Sequence, residues 1–177
     1  MRAVVGLGNP GPEYAATRHN AGFLLADAVA RHWQLPPFRR AERARATAGT
    51  VGGVPVRILK PTTFMNRSGA ALASLRADPA FDAARDLLVL VDDFQIPLGT
   101  FRFRPEGSAG GHNGLKSIEG ALQSQQYARL RIGVGPLPEG TGDWADYVLA
   151  PFERDELEQV ESLMPRMIEE VEKWLNT

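Results

Sequence analysis

His19 stands in Thr17-Arg18-His19-Asn20, at the junction of a loop and a helix, where a side chain can project into a cleft. Imidazole is the side chain that takes and returns a proton near neutral pH, so His19 is a candidate general base. Asp92 follows the apolar run Leu87–Val91. That places it at the carboxyl end of a buried strand, where ligands gather in open α/β sheets. A carboxylate there could orient an imidazole and stabilise its protonated form. Asp93 would point to the other side, so at most one of the two faces a site. His32, beside Trp33 at a helix end, reads as structural or solvent-facing.

Three loop asparagines extend the set: Asn9, Asn66 in Phe64-Met65-Asn66, and Asn113 after His112. Each amide carries donors and acceptors without charge, which suits recognition of a peptide backbone or support of an oxyanion. Each also suits a turn or a helix cap, and Asn66 could cap its helix. No serine stands in a G-x-S-x-G elbow, and Ser108 reads as a turn residue, so water is the expected nucleophile. The chain has no cysteine, which excludes thiolate zinc sites and thiol nucleophiles. With no H-E-x-x-H and only Asp92-Asp93 as adjacent acids, no metal is expected.

Gly6-Leu7-Gly8-Asn9-Pro10-Gly11 satisfies G-x-G-x-x-G after a strand. A dinucleotide loop must lead directly into a helix whose free N–H groups face the pyrophosphate. Pro10 and Pro12 remove two donors, and helical patterning resumes only near Asn20. The glycines are better read as a tight turn presenting Asn9.

These residues need a scaffold. Arg2 to Leu7 reads as a buried strand, and about Asn20 to Trp33 as a helix closed by Leu35-Pro36-Pro37. Ala46–Val51 and Val54–Leu59 flank Gly52-Gly53 as a hairpin. Asn66–Arg76 reads as a helix, Leu87–Val91 and Phe101–Arg104 as strands, Gly107–Gly114 as a loop, Leu115–Leu122 as a helix and Leu130–Gly135 as a strand. Leu157, Val160, Met164, Met167, Ile168, Val171 and Trp174 mark a C-terminal helix that Pro165 should kink or restart. The expectation is one α/β domain over residues 1–177, with a mixed, mostly parallel twisted sheet and helices on both faces.

The 177 residues suffice to bury a core without disulfides. No run approaches a membrane span or a signal peptide, which points to a cytoplasmic protein. The net charge of -1 conceals an asymmetry. From Glu153 onward acids dominate, whereas Arg31 to Arg76 holds Arg31, Arg39, Arg40, Arg43, Arg45, Arg57, Lys60, Arg67 and Arg76 against the single acid Glu42. A solvated basic face is one reading and a polyanionic partner such as nucleic acid the other.

Five segments taken together resemble the bacterial peptidyl-tRNA hydrolases: Gly6–Gly11 with Glu13-Tyr14; Thr17–Gly22; Lys60–Gly69; Asp92-Asp93; and Gly107–Lys116 with Arg131-Ile132-Gly133. They occur in family order and spacing. The resemblance implies hydrolysis of the ester joining a peptide to the ribose of tRNA, with no metal and no cofactor, by a monomer whose partners are the tRNA acceptor arm and its peptide. It implies that His19 activates water and Asp92 holds it, and that Asn9 helps to distinguish blocked from free aminoacyl groups. It also implies that Tyr14, Phe64, Met65, Asn66 and Asn113 meet the substrate, and that Arg102, Arg104, Lys116 and Arg131 meet tRNA phosphates. Gln95 departs from the acid common at that position. An RNA-binding relative without turnover is the alternative, against which the retention of His19, Asp92 and the asparagines argues.

Overall fold

Ala3, Val4 and Val5 are all fully buried, yet they join different cores, Ala3 and Val5 on one face of a sheet and Val4 on the other. A strand apolar on both faces must be sandwiched between helices. The computed structural model describes residues 1–140 and 142–177. In chain order the elements are β1 (Arg2–Gly6), 3-10 turns at Pro12–Tyr14 and Arg18–Asn20, α1 (Ala21–His32), β2 (Arg39–Ala41), β3 (Ala44–Val51), β4 (Val54–Pro61) and a 3-10 segment at Met65–Leu72. Next come α2 (Ala73–Arg76), α3 (Ala83–Asp86), β5 (Leu87–Pro97), β6 (Phe101–Arg104), α4 (Asn113–Leu122), β7 (Ala128–Gly135), α5 (Trp144–Leu149) and α6 (Arg154–Leu175).

The strands form one sheet in the order β2-β3-β4-β1-β5-β7-β6. β4, β1, β5 and β7 run parallel in the middle, while β2–β3–β4 and β6–β7 are antiparallel edges. This is the mixed, mostly parallel α/β architecture that the alternation of strands and helices predicts. The chain leaves β1 towards one edge and β5 towards the other, so a crevice opens at the carboxyl ends of these two neighbours.

α1 and α6 cover the face that includes Val4, Ile58, Leu88 and Leu90; the Met65–Leu72 segment and α4 cover the other. On α6, Val160, Leu163, Met167, Ile168, Val171, Trp174 and Leu175 are buried. Seven such side chains contribute roughly 10–20 kcal/mol before conformational entropy is counted. Gly22 lets α1 rest directly on the crevice strands, because a Cβ there would lie 2.4 Å from the Leu90 carbonyl oxygen and 2.6 Å from that of Leu7. No helix among the described residues is long and apolar enough to cross a membrane.

Several boundaries depart from the sequence reading. α6 runs from Arg154 to Leu175 without a break at Pro165. The Pro165 ring is exposed, and so is Glu161, whose carbonyl loses its helical partner there and can be solvated. The predicted Asn66–Arg76 helix is 3-10 in character, kinks at Arg67 (φ -121°, ψ 19°) and becomes α-helical only at Ala73, and Phe64, not Asn66, occupies its capping position. β5 continues past Val91 to Pro97, with a register shift between Asp93 and Pro97. α4 begins two residues earlier than predicted, at Asn113.

Candidate active site

Asp92 is 1% exposed, at the carboxyl end of the central strand β5. Its Oδ2 lies 2.8 Å from His19 Nδ1 and its Oδ1 lies 3.0 Å from His112 Nε2. An ionised carboxylate only accepts, so both imidazoles donate. Burial by itself pushes the Asp92 carboxyl up, but the two imidazoles beside it, each donating a hydrogen bond to it, outweigh burial and hold Asp92 well below the usual carboxylate range. Asp93 diverges as expected: it accepts from the Gln95 N–H at 2.8 Å and pairs with Arg131 at 3.3 Å. His32 is exposed and pairs with Glu172 on α6.

His112 is the functional residue that sequence reasoning missed. Its Nδ1 accepts the N–H groups of Gly114 at 3.0 Å and Leu115 at 3.3 Å, capping α4. A nitrogen that accepts cannot carry hydrogen, so the ring is the neutral Nε2–H tautomer, aimed at Asp92. His19, donating through Nδ1, keeps Nε2 as its basic nitrogen. His19, Asp92 and His112 also place ligand atoms within 4.8 Å of one another, close enough for a metal ion. A cation would need the lone pair of His112 Nε2, and that nitrogen is an N–H for as long as Nδ1 caps the helix. The donor set suits a shared carboxylate and does not suit a metal.

Asn9 is aimed with equal definition. Its backbone N–H donates to Asn20 Oδ1 at 2.8 Å, and Asn20 Nδ2 returns a bond to the Asn9 carbonyl at 2.9 Å. Its side-chain Oδ1 accepts the Met65 N–H at 2.8 Å, which fixes the amide and leaves Nδ2 as the donor for the site. Asn20, the last residue of the 3-10 turn that carries His19, therefore positions Asn9 as well.

A cavity of about 180 Å³ opens here, lined by Asn9, His19, Phe64, Met65, Asn66, Asn113, Trp144, Ala145, Val148 and Leu149. Phe64 is 50% exposed at its rim, and its ring meets Tyr14 edge-on with centroids 6.2 Å apart. Its backbone (φ 63°, ψ 157°) lies in a region costing roughly 1–3 kcal/mol for a residue with a side chain. The wall from α5 had no sequence signal. Trp144 stacks on Phe94, 5.6 Å between centroids. Behind His19, the buried Arg18 donates to the Tyr147 carbonyl at 2.9 Å and to Glu156 at 2.7 Å. Glu156 also closes the capping box of α6 with Glu153, so one carboxylate joins that helix start to the His19 turn.

The basic positions divide into two kinds. Phe101 and Phe103 pack towards the α6 face, so Arg102 and Arg104 are presented, exposed, on the α4 side of edge strand β6. Lys116 is exposed on α4. Arg131 faces the same side, directly opposite Arg102, but its guanidinium is held by Asp93 and donates to the Ser108 carbonyl at 2.7 Å. The buried Arg129 reaches the same carbonyl at 3.2 Å. Two arginines thus anchor the glycine-rich loop that ends in His112.

Comparison with known proteins gives one consistent result. A family model described as peptidyl-tRNA hydrolase matches residues 3–177. The peptidyl-tRNA hydrolase of Gemmatimonas aurantiaca is 47% identical over 177 residues, covering 99% of this chain and 93% of that protein. The peptidyl-tRNA hydrolase of Desulfitobacterium hafniense is 43% identical over 174 residues, covering 98% and 92%. The crystal structure of peptidyl-tRNA hydrolase from Acinetobacter baumannii superposes with a TM-score of 0.90 at 30% identity, covering 99% of this chain and 89% of that one.

Proposed function

The chain belongs to the peptidyl-tRNA hydrolase family, and from that premise we propose how its site works. The enzyme cleaves the ester between a peptide's terminal carboxyl group and the ribose of tRNA, which frees tRNA from chains released prematurely. His19 Nε2 takes a proton from water as the water oxygen bonds to the ester carbon. The tetrahedral intermediate then expels the ribose oxygen, which receives that proton from His19. Asp92, kept ionised, orients His19 through Nδ1 and stabilises it while it is charged. The observation that carries this reading is the 2.8 Å His19–Asp92 contact beside a cavity lined by three neutral amides.

Asn9 Nδ2 donates to the carbonyl oxygen on which charge develops, a contact typically worth about 10²- to 10³-fold. Asn66 and Asn113 bond the amides of the peptide, with Tyr14, Phe64 and Met65 against its acyl portion. Amides that grip backbone groups ignore side chains, so any peptide fits. A free aminoacyl group lacks the blocked nitrogen's carbonyl and leaves these partners unpaired. Arg102, Arg104 and Lys116 meet tRNA phosphates; Arg131, already paired with Asp93, adds a weaker field and holds the loop. We place the enzyme in the cytoplasm, with tRNA and its peptide as partners and one chain as the working unit.

An N-acetylaminoacyl-tRNA incubated with the protein and excess chelator should be cleaved. His19→Ala should lose at least about a hundredfold in turnover with tRNA affinity near normal. Unchanged turnover would remove His19 from the mechanism, and tight tRNA binding without cleavage by the native chain would favour an RNA-binding relative.

A further inference from the structure

The arginine-rich stretch near the start of the chain remains without a role in the reaction as described. Arg39, Arg40, Arg43 and Arg45 lie on β2, β3 and the turn between them, and all four are exposed. Among the described residues none of the four forms an ion pair. Arg40 stands directly opposite Arg45, and Arg45 directly opposite Lys60, so three cations cross three strands on one face. Like charges in opposed positions destabilise a sheet. Lys60 is relieved by Asp27 at 2.6 Å and covered by the Phe38 ring at 4.2 Å, whereas Arg45 donates to the Phe38 carbonyl at 3.1 Å and, among the described residues, neither Arg40 nor Arg45 meets a carboxylate. Exposed guanidinium groups without carboxylate partners are open to an anion supplied from outside.

The hairpin is also placed where the substrate must be. Its turn lies at the carboxyl end of β4, where the Thr62 N–H donates to the Arg43 carbonyl at 3.0 Å. Two residues further on, Phe64 lines the reaction cavity. β2 is the opposite sheet edge from β6, so these arginines flank the crevice on the side away from Arg102, Arg104 and Lys116.

We propose that the β2–β3 hairpin is a second surface for RNA phosphates, gripping the tRNA backbone on the flank of the cavity opposite β6. This rests on the peptidyl-tRNA reading above. An acidic peptide would fit the charge equally well, but the peptide varies from substrate to substrate while the RNA backbone does not. Guanidinium groups also match phosphate oxygens with paired hydrogen bonds.

The test compares Arg40→Gln/Arg43→Gln with the native full-length chain, measuring the dissociation constant for uncharged tRNA across salt concentrations. The slope of log affinity against log salt should fall by about two, one for each cation removed. Affinity near 0.1 M salt should weaken roughly three- to tenfold, with kcat at saturating peptidyl-tRNA unchanged. Arg40→Lys/Arg43→Lys should restore the slope. A slope equal to the native one, measured where Arg102→Gln/Arg104→Gln does lower it, overturns the proposal. An unchanged slope with lost solubility would assign the arginines to guarding an edge strand against pairing. Because binding is read without turnover, absence of hydrolysis would count against the catalytic reading alone.

Discussion

Asp92 offers two oxygens and receives two imidazole donors, so its charge is divided between the base and the cap of α4. His112→Asn separates these duties, since Asn can cap a helix but cannot also reach Asp92. With one donor fewer, the Asp92 carboxylate is less firmly oriented towards His19, and turnover should fall with tRNA affinity near native. Unchanged turnover would show that His112 does not help to orient Asp92. Asp92→Asn should lower turnover about 10²- to 10⁴-fold, because the positioned base loses its partner. The same substitution has a signature in stability. The Asp92 carboxyl is held below its ordinary value, so its contribution is present above the usual carboxylate pKa of about 3.9 and is lost as pH falls through the lower folded value. Urea unfolding should show the native chain's advantage over Asp92→Asn shrinking below about pH 4, and a gap independent of pH would contradict the assignment. His19 and Asp92 were legible from their positions at a loop junction and a strand end. His112 was not, because histidine is no standard cap; the available signal was that a buried carboxylate with two oxygens needs more than one donor.

At the scale of elements, legibility followed the strength of the apolar pattern. β1, the β3–β4 hairpin, α1 and α6 show sustained apolar runs or periods, and each was readable. α5 has 6 residues, fewer than two turns, so no period could emerge, although it supplies Trp144, Ala145, Val148 and Leu149 to the cavity. The Met65–Leu72 segment reads as helix by composition, yet it is tightened to 3-10 geometry where it packs on α4. A Cβ at Gly69 would come 2.2 Å from the Ser117 carbonyl oxygen. Pro165 misled for a different reason: one exposed proline removes one bond from a helix of 22 residues that a buried stripe already fixes. Pro165→Ala should therefore stabilise the chain, by about 1–2 kcal/mol once the freer unfolded state is counted. Thermal unfolding should rise by about 2–8 °C with turnover unchanged. A lower midpoint would show that the ring packs rather than merely being tolerated.

For the whole molecule, the charge asymmetry in the sequence becomes an asymmetry in space. The cations flank the crevice at both sheet edges, whereas the acids of α6 cover the outside of one face. Glu161 and Glu169 are exposed on that helix and form no ion pair among the described residues. An acidic flank repels RNA and a basic crevice attracts it, so on the reading proposed above the two together should turn the substrate towards His19 before contact. Glu161→Gln/Glu169→Gln should raise the association rate of tRNA at low salt by less than about threefold while leaving kcat unaltered. At about 0.5 M salt the difference should vanish, because the Debye length is then only a few ångströms. Stopped-flow binding across salt concentrations checks this. A fall in affinity on removing these acids would mean that the RNA, or a basic partner, contacts α6 directly, and the molecule's polarity would then have to be assigned to recognition on that face instead of to steering away from it.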